Sequence, residues 1–264
     1  RRSFLKLSGL AGIGLMAGSG CTQENKTPVK TNLDDIRLQA AKKYSSVFNM
    51  SGYAAPKIPT VRVGFIGVGN RGSAAVERLS QIEGVAINGI CDVRPEKAAE
   101  AKARIKTAGH RAQLFTEGAE HWKKLCEQPD YDLIYIATHW QLHAEMAIYA
   151  MEQGKHVALE IPAATSVEDC WRLVQTSEKT KKHCVMLENC CYDYFELLTL
   201  NLARQGFFGD IVHCEGAYLH DILDSFFDAE KRFDFWRLKE NAARNGNLYP
   251  THGLGPICQL LKVN

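Results

Sequence analysis

The stretch VRVGFIGVGNRG, from Val61 to Gly72, constrains the fold more than any other part of the chain. An apolar strand-like run, Val61–Ile66, leads directly into Gly67-Val68-Gly69-Asn70-Arg71-Gly72 and then into a helical pattern. In such a turn the first glycine permits the tight bend. The second lets a ligand approach the backbone, and the third lets helix and strand pack closely. An acidic residue, Asp92, ends the next strand-like run. A turn of this kind opens on a helix N-terminus, which favours a diphosphate. Asp92 can accept hydrogen bonds from both ribose hydroxyls of an adenosine and would repel a 2′-phosphate. NAD is therefore expected over NADP, although Arg94 nearby weighs the other way. Gly67, Gly69 and Asp92 are the first candidate contacts. The plain alternative is a glycine-rich turn that holds nothing, and the strand, helix and acid in their places argue against it.

The rest of the chain repeats the same rhythm. Strand-like runs are expected at Val85–Cys91, Leu133–Ala137, His156–Leu159 and Cys184–Leu187. Helical patterns are expected at Gly72–Ile82, Pro95–Lys106, Gly118–Cys126, Leu142–Gln153 and Val167–Lys179. Alternation at these lengths implies an α/β fold with a doubly wound parallel sheet. The rhythm changes later, with a helix at Phe195–Arg204, a strand at Ile211–Leu219, and a polar, aromatic-rich segment from His220 to Tyr249. The expected organisation is a leader over 1–21, a linker with a short helix (Leu33–Phe48) over 22–59, a Rossmann domain over 60–182, and the start of a substrate-binding α/β domain with an open sheet over 183–264.

The ends carry their own signals. Arg1-Arg2-Ser3-Phe4-Leu5-Lys6 reads as a twin-arginine export signal. The weakly apolar stretch from Leu7 to Met16 is too short for a permanent span and fits its h-region. That route carries proteins already folded around a cofactor, so a periplasmic protein with tightly held NAD is expected. Cys21 after Gly18-Ser19-Gly20 is either a lipid-anchor acceptor or simply near a cleavage site. The chain opens without Met and stops at Asn264, and reads as a piece of a longer protein.

The formal charge is +2; without Arg1, Arg2 and Lys6 the balance is 29 basic to 30 acidic residues, or −1. Nothing in that balance points to a nucleic-acid or anionic-membrane partner. Nine cysteines are present, several in apolar strand-like runs where a thiol is a small buried hydrophobe. Cys190-Cys191 lacks the two-residue gap of a zinc knuckle or redox pair, so no metal is expected. Assembly into a homo-oligomer is left open.

Ligands of doubly wound sheets gather at the carboxyl ends of the strands. After the fourth expected strand comes Thr138-His139-Trp140-Gln141-Leu142-His143, which makes Trp140 and His143 candidates to line the cleft. Their alternative roles are core packing and helix capping. The next strand ends in Glu160-Ile161-Pro162. Sheet, glycine turn and Glu-x-Pro together resemble the glucose–fructose oxidoreductase/inositol dehydrogenase/MocA family. That family's usual motif is Glu-Lys-Pro, with the Lys assisting proton transfer at a substrate hydroxyl. Ile161 stands in its place and cannot do so, which speaks against a plain dehydrogenase.

Two later runs, Glu188-Asn189-Cys190-Cys191-Tyr192 and Gly246-Asn247-Leu248-Tyr249-Pro250-Thr251-His252-Gly253-Leu254-Gly255-Pro256, resemble glycoside hydrolase family 109. These are NAD-dependent α-N-acetylgalactosaminidases, often exported through a twin-arginine signal, whose chains continue beyond residue 264. The resemblance implies that Asn70, Arg71, Asp92, Trp140, Gln141, Leu142, His143, Glu160, Ile161 and Asn189 contact NAD. It further implies that Tyr218, Arg237, Tyr249, Pro250, Thr251 and His252 contact a glycan, with Tyr249 also touching the nicotinamide end. His139 departs from the family pattern, where Pro precedes the Trp.

The implied chemistry is oxidation at carbon 3 of the sugar, elimination of the group on carbon 1, water addition and reduction, with no net consumption of NAD. It differs from two-carboxylate glycoside hydrolysis. His252 is the expected acid–base residue, because imidazole titrates near neutrality, and Tyr249 its partner at carbon 3. Tyr192 is a weaker candidate. An exported sugar oxidoreductase and a non-catalytic sugar or dinucleotide sensor are the rival readings.

Overall fold

A computed structural model describes residues 43, 48–221, 223–227 and 233–263. The twin-arginine segment, Cys21 and nearly all of the Leu33–Phe48 helix lie outside the described residues. The chain divides into two compact units, 1–43 and 44–264. All that follows concerns the second.

Six strands form one parallel sheet: β1 (Val61–Ile66), β2 (Val85–Cys91), β3 (Gln113–Phe115), β4 (Leu133–Ile136), β5 (His156–Leu159) and β6 (Cys184–Met186). Their order is β3-β2-β1-β4-β5-β6. Chain direction across the sheet reverses between β1 and β4, and such a switch point is where doubly wound folds open a crevice for ligand. Helices connect the strands: α1 (Asn70–Leu79), α2 (Pro95–Ala103), α3 (His121–Glu127), α4 (Trp140–Glu152) and α5 (Val167–Thr180).

The two-residue period of the strands separates the core into two layers. Val63, Phe65, Ile87, Ile90 and Tyr135 join the cluster under α1 and α2. Ile66, Ile134, Ile136, Val157 and Leu159 join the cluster under α3 and α4. Both faces are covered, as a parallel sheet requires. At the opposite end from the crevice, Asp132 accepts from the backbone N–H of Arg62 (2.9 Å), its Nε (2.9 Å) and its Nη2 (2.7 Å). This pair ties β1 to β4 at their entry.

Most expected elements are present with shifted ends. α1 and α4 begin two residues earlier than their patterns suggested, and the short strand β3 was not foreseen. The later region departs more. Residues 211–220 contain no strand, and among the described residues nothing pairs with them. An apolar alternation becomes a strand only when a neighbour accepts its backbone hydrogen bonds. After β6 come a 3-10 turn (Asn189–Tyr192), α6 (Tyr194–Arg204), α7 (Leu223–Phe226), a second 3-10 turn (Phe233–Phe235), α8 (Trp236–Ala243) and α9 (Pro250–Leu261).

The Tyr-Pro-Thr-His run of residues 249–252, between glycines, suggests a polar loop; instead Tyr249 caps α9 and Pro250 to His252 form its first turn. Pro250 at its first turn suits a helix N-terminus. Its glycines serve close packing. A Cβ at Gly253 would lie 2.8 Å from the backbone of Gly216, and one at Gly255 would lie 2.8 Å from Cys191 Sγ. No described helix is long and apolar enough to cross a membrane.

Candidate active site

The residues that follow each strand end build the site: Gly67 after β1, Asp92 after β2, Thr138 after β4, Glu160 after β5 and Glu188 after β6. They line or border a cleft of about 550 Å³, a size typical of small-molecule and cofactor sites.

The glycine turn forms one wall. Gly67 has φ +84°, and a Cβ there would come within 2.8 Å of the Ala137 carbonyl. A Cβ at Gly72 would stand 2.0 Å from the Gly67 carbonyl oxygen, so α1 can start here only on glycine. Gly69 is different: the nearest atom to a Cβ would be Arg94 Nη2, 3.7 Å away. Space is left above its backbone, at the N-terminus of α1. Asp92 is buried, and its carboxylate accepts from the Val68 N–H (2.8 Å) and the Arg94 N–H (2.9 Å). A carboxylate has about four acceptor positions, so two remain for ribose hydroxyls. The open backbone at Gly69, the helix N-terminus and the anchored acid fit a dinucleotide.

A polar network crosses the floor. Glu160 Oε1 accepts from Tyr135 Oη (2.5 Å) and Arg71 Nε (2.9 Å), and Arg71 Nη2 donates to Asn189 Oδ1 (3.1 Å). Burial works against the Arg71 charge, but the Glu160 carboxylate outweighs it and holds the guanidinium pKa above its ordinary value. Burial and the same carboxylate push the Tyr135 phenol upward, so it stays a neutral donor. Ile161 is buried beside this network and lines the cleft. His143 is also buried; its ring nitrogens face the carbonyls of Pro162 (2.7 Å) and Thr138 (3.1 Å), and burial lowers its pKa. It braces the cleft wall as well as lining it.

The opposite wall comes from the later region. Trp140 meets Trp236 and Tyr249 edge-on, at 5.1 Å and 5.4 Å between ring centroids. His139 stacks on Trp236 at 4.9 Å, which gives its departure from the family pattern a structural role. The Arg237 guanidinium lies 5.4 Å from the Trp140 ring centroid and donates to Tyr249 Oη. Tyr249 stacks on His252, with centroids 5.1 Å apart and planes 6° apart. Tyr218 meets His252 edge-on at 4.5 Å. Tyr218, Arg237, Tyr249 and His252 thus converge on the cleft that the glycine turn opens.

Fifteen of the expected contacts line this cleft, including Asn70, Leu142 and Asn189. Gln141, Pro250 and Thr251 do not. Gln141 donates to buried Glu240 on α8, Pro250 is exposed at the start of α9, and Thr251 Oγ1 is buried without a hydrogen-bond partner. Two residues of consequence were missed. Tyr135 lies inside a strand and looked like core. Glu188 lies in the quoted Glu188–Tyr192 run, yet its role appears only in three dimensions: its Oε1 sits 2.6 Å from His252 Nδ1.

All eight described cysteines are free thiols. Burial pushes Cys91 and Cys126 up to about 12, as inert core thiols. Cys190 Sγ lies within 4.8 Å of donor atoms on Glu188 and His252. Burial, aided by the charge of Glu188, pushes its thiol up to about 11.

Two family descriptions match successive parts of the chain. Residues 61–188 match the family described as "Oxidoreductase family, NAD-binding Rossmann fold", and residues 192–264 match "Glycosyl hydrolase 109, C-terminal domain". The alpha-N-acetylgalactosaminidase of Bacteroides fragilis is 48% identical over 225 residues, covering 84% of this chain and 53% of that protein. Glycosyl hydrolase family 109 protein 1 of Phocaeicola vulgatus is 46% identical over 255 residues, covering 96% of this chain and 54% of that protein. The chain therefore spans about half the length of the curated relatives it matches. Myo-inositol dehydrogenase from Lactobacillus casei, solved with NAD(H) and myo-inositol, shares the fold with a TM-score of 0.51 and 24% identity, over 57% of this chain and 43% of that one. By both family matches and by these relatives, the chain is similar to proteins of glycoside hydrolase family 109, with residues 61–188 matching the NAD-binding Rossmann fold of the oxidoreductase family.

Proposed function

We propose that the protein is an exported NAD-dependent glycosidase that acts on terminal α-linked N-acetylgalactosamine. The observation that carries this reading is the meeting of two sets of residues in one cleft. The glycine turn with Asp92 suits a dinucleotide, and His252 with Tyr249 suits proton transfer on a sugar. The family and the B. fragilis relative support the substrate class.

NAD, when bound, supplies a reversible hydride acceptor at carbon 3 of the sugar. The protein's own groups do the rest. The backbone at Gly69 and Asp92 hold the diphosphate and ribose ends. Arg237, donating to Tyr249 Oη, leaves the phenol proton free to be shared with the carbon 3 oxygen. His252 takes the carbon 2 proton, which an adjacent carbonyl makes acidic, and returns a proton as water adds at carbon 1. Stacking on Tyr249 and the edge of Tyr218 restrict its ring. Buried Ile161, where a dehydrogenase would place Lys, offers no proton relay, and this weighs against a sugar oxidoreductase.

Cleavage of chromogenic α-N-acetylgalactosaminide by the whole protein without added NAD is the first test. In heavy water the released sugar should carry deuterium at carbon 2; an unlabelled product would mean direct displacement at carbon 1 and would sink the redox route. Export rests on Arg1-Arg2. Replacing both with Lys should hold the protein back in cell fractionation, and undiminished export would exclude the twin-arginine route.

A further inference from the structure

We infer that Glu188 is a positioning residue for His252, accepting the Nδ1 proton of its imidazole and leaving Nε2 as the nitrogen that exchanges protons in the cleft. The inference rests on the acid–base role proposed above for His252. Glu188 follows β6 and begins the 3-10 turn; His252 lies in the first turn of α9, 64 residues later. The two side chains are 7% and 9% exposed and meet at 2.6 Å. An ionised carboxylate only accepts, so the proton between them belongs to Nδ1, and the second nitrogen keeps its lone pair. A His held in this way has one tautomer and one orientation, the arrangement that prepares imidazole to act as a base.

The surroundings are built for this contact. Glu188 Oε1 also accepts from the Cys190 N–H at 3.0 Å, which fixes the carboxylate before His252 reaches it. Gly255, one turn after His252, lets α9 approach: a Cβ there would lie 3.2 Å from Glu188 Cγ and 2.8 Å from Cys191 Sγ. Among the described residues, the other carboxylate oxygen, Oε2, is buried with no hydrogen-bond partner. Tyr249 and Tyr218 flank the ring without competing for Nδ1.

The test uses the whole protein labelled with ¹⁵N in its histidine side chains. At neutral to mildly alkaline pH the wild-type His252 signals should show the Nδ1–H tautomer, unchanged by a chelator. Glu188→Gln, which is nearly isosteric and offers an NH₂ toward Nδ1, should switch them to Nε2–H. Its kcat on the glycoside should fall roughly a hundredfold or more with KM little changed, as for a base held in the wrong tautomer. A wild-type Nε2–H tautomer, a spectrum that Glu188→Gln leaves unchanged, or a kcat within twofold of wild type overturns the inference. So does a wild-type spectrum that changes on chelation, which would assign Glu188, Cys190 and His252 to a metal. If the protein proves not to cleave glycosides, the acid–base reading fails, while the tautomer measurement still decides whether Glu188 sets the imidazole.

Discussion

The sheet region, 61–188, and the later region, 189–263, differ in burial within this chain, which spans about half the length of the curated relatives it matches. In the first, Val63, Phe65, Ile87, Ile134, Ile136 and Leu159 are completely buried between two layers of helices. In the second, Tyr194, Phe195, Phe207, Val212 and Leu219 are exposed, and α9 contains no buried residue. Its side chains meet the first region at several points: Trp236 and Tyr249 against Trp140, Glu240 against Gln141, and His252 against Glu188. The glycine-turn wall therefore stands on a buried core, while Trp236, Tyr249 and His252 meet the sheet region through ring contacts and one ion pair. Dinucleotide binding and proton transfer should be separable by mutation, and damage should travel from the sheet to the later region more readily than back.

The largest effect should come from the sheet. Gly72→Ala puts a Cβ 2.0 Å from the Gly67 carbonyl oxygen, a backbone clash that no rotamer relieves. Overpacking of this kind costs about 3 kcal/mol or more. The variant should lose retained NAD, lower the melting temperature and show no cleavage. NAD retained at the wild-type ratio would mean that the turn tolerates a shift of α1.

His252→Ala tests the other wall. Cleavage should slow by roughly a hundredfold or more, as for a lost acid–base group, while NAD content changes little; the melting temperature should fall, because buried Glu188 loses its partner. A variant that lost NAD as well would show that the two walls are not separable.

Asp92→Ala should act mainly on the cofactor and more mildly, with some loss of stability because two backbone N–H groups lose their acceptor. It removes a buried acceptor from the Val68 and Arg94 N–H groups. Hydrogen bonds to charged groups are worth about 1.5–3 kcal/mol, so NAD affinity should fall roughly tenfold or more. The preference over NADP should relax, with Arg94 left facing the cleft. Equal binding of NAD and NADP by the unmodified protein would remove the role given to Asp92.

The smallest effect should come from the Arg62–Asp132 pair, on the far side of the sheet. Hydrogen bonds from Arg62 hold the Asp132 carboxyl below its usual range. A depressed carboxylate pKa stabilises the fold above the unfolded value, near 4, and that contribution fades as pH falls through the lower folded value. Asp132→Asn should therefore cost about 1 kcal/mol at neutral pH, and less near pH 3, in denaturant melts, with NAD retention and kcat unchanged. A change in kcat would mean that the entry end of the sheet reaches the site.

The same contrast governs what could be read in advance. Five of the six strands and the cofactor turn were legible because their signals are local: period-two apolar runs, a glycine pattern, an acid at a strand end. β3 was missed because three residues give too short a pattern, and it exists by pairing with β2. Ile211–Leu219 had the pattern but, among the described residues, no partner strand, and it is not a strand. Tyr249–His252 looked like loop because the run is polar and lies between glycines, yet Gly253 approaches the Gly216 backbone and Gly255 the side chains of Cys191 and Glu188, contacts that only the packed structure reveals.

The sequence alone determined the doubly wound sheet, the place of the dinucleotide turn and the residue types of the site, since each depends on neighbours within a few positions. Tertiary structure decided which of those residues meet. Gln141 turns to Glu240 rather than into the cleft, Tyr135 within the core turns its hydroxyl to Glu160, and Glu188 finds His252 across 64 residues. Such pairings depend on how α9 packs against the end of β6. That is a matter of close approach and shared burial, which no local pattern encodes.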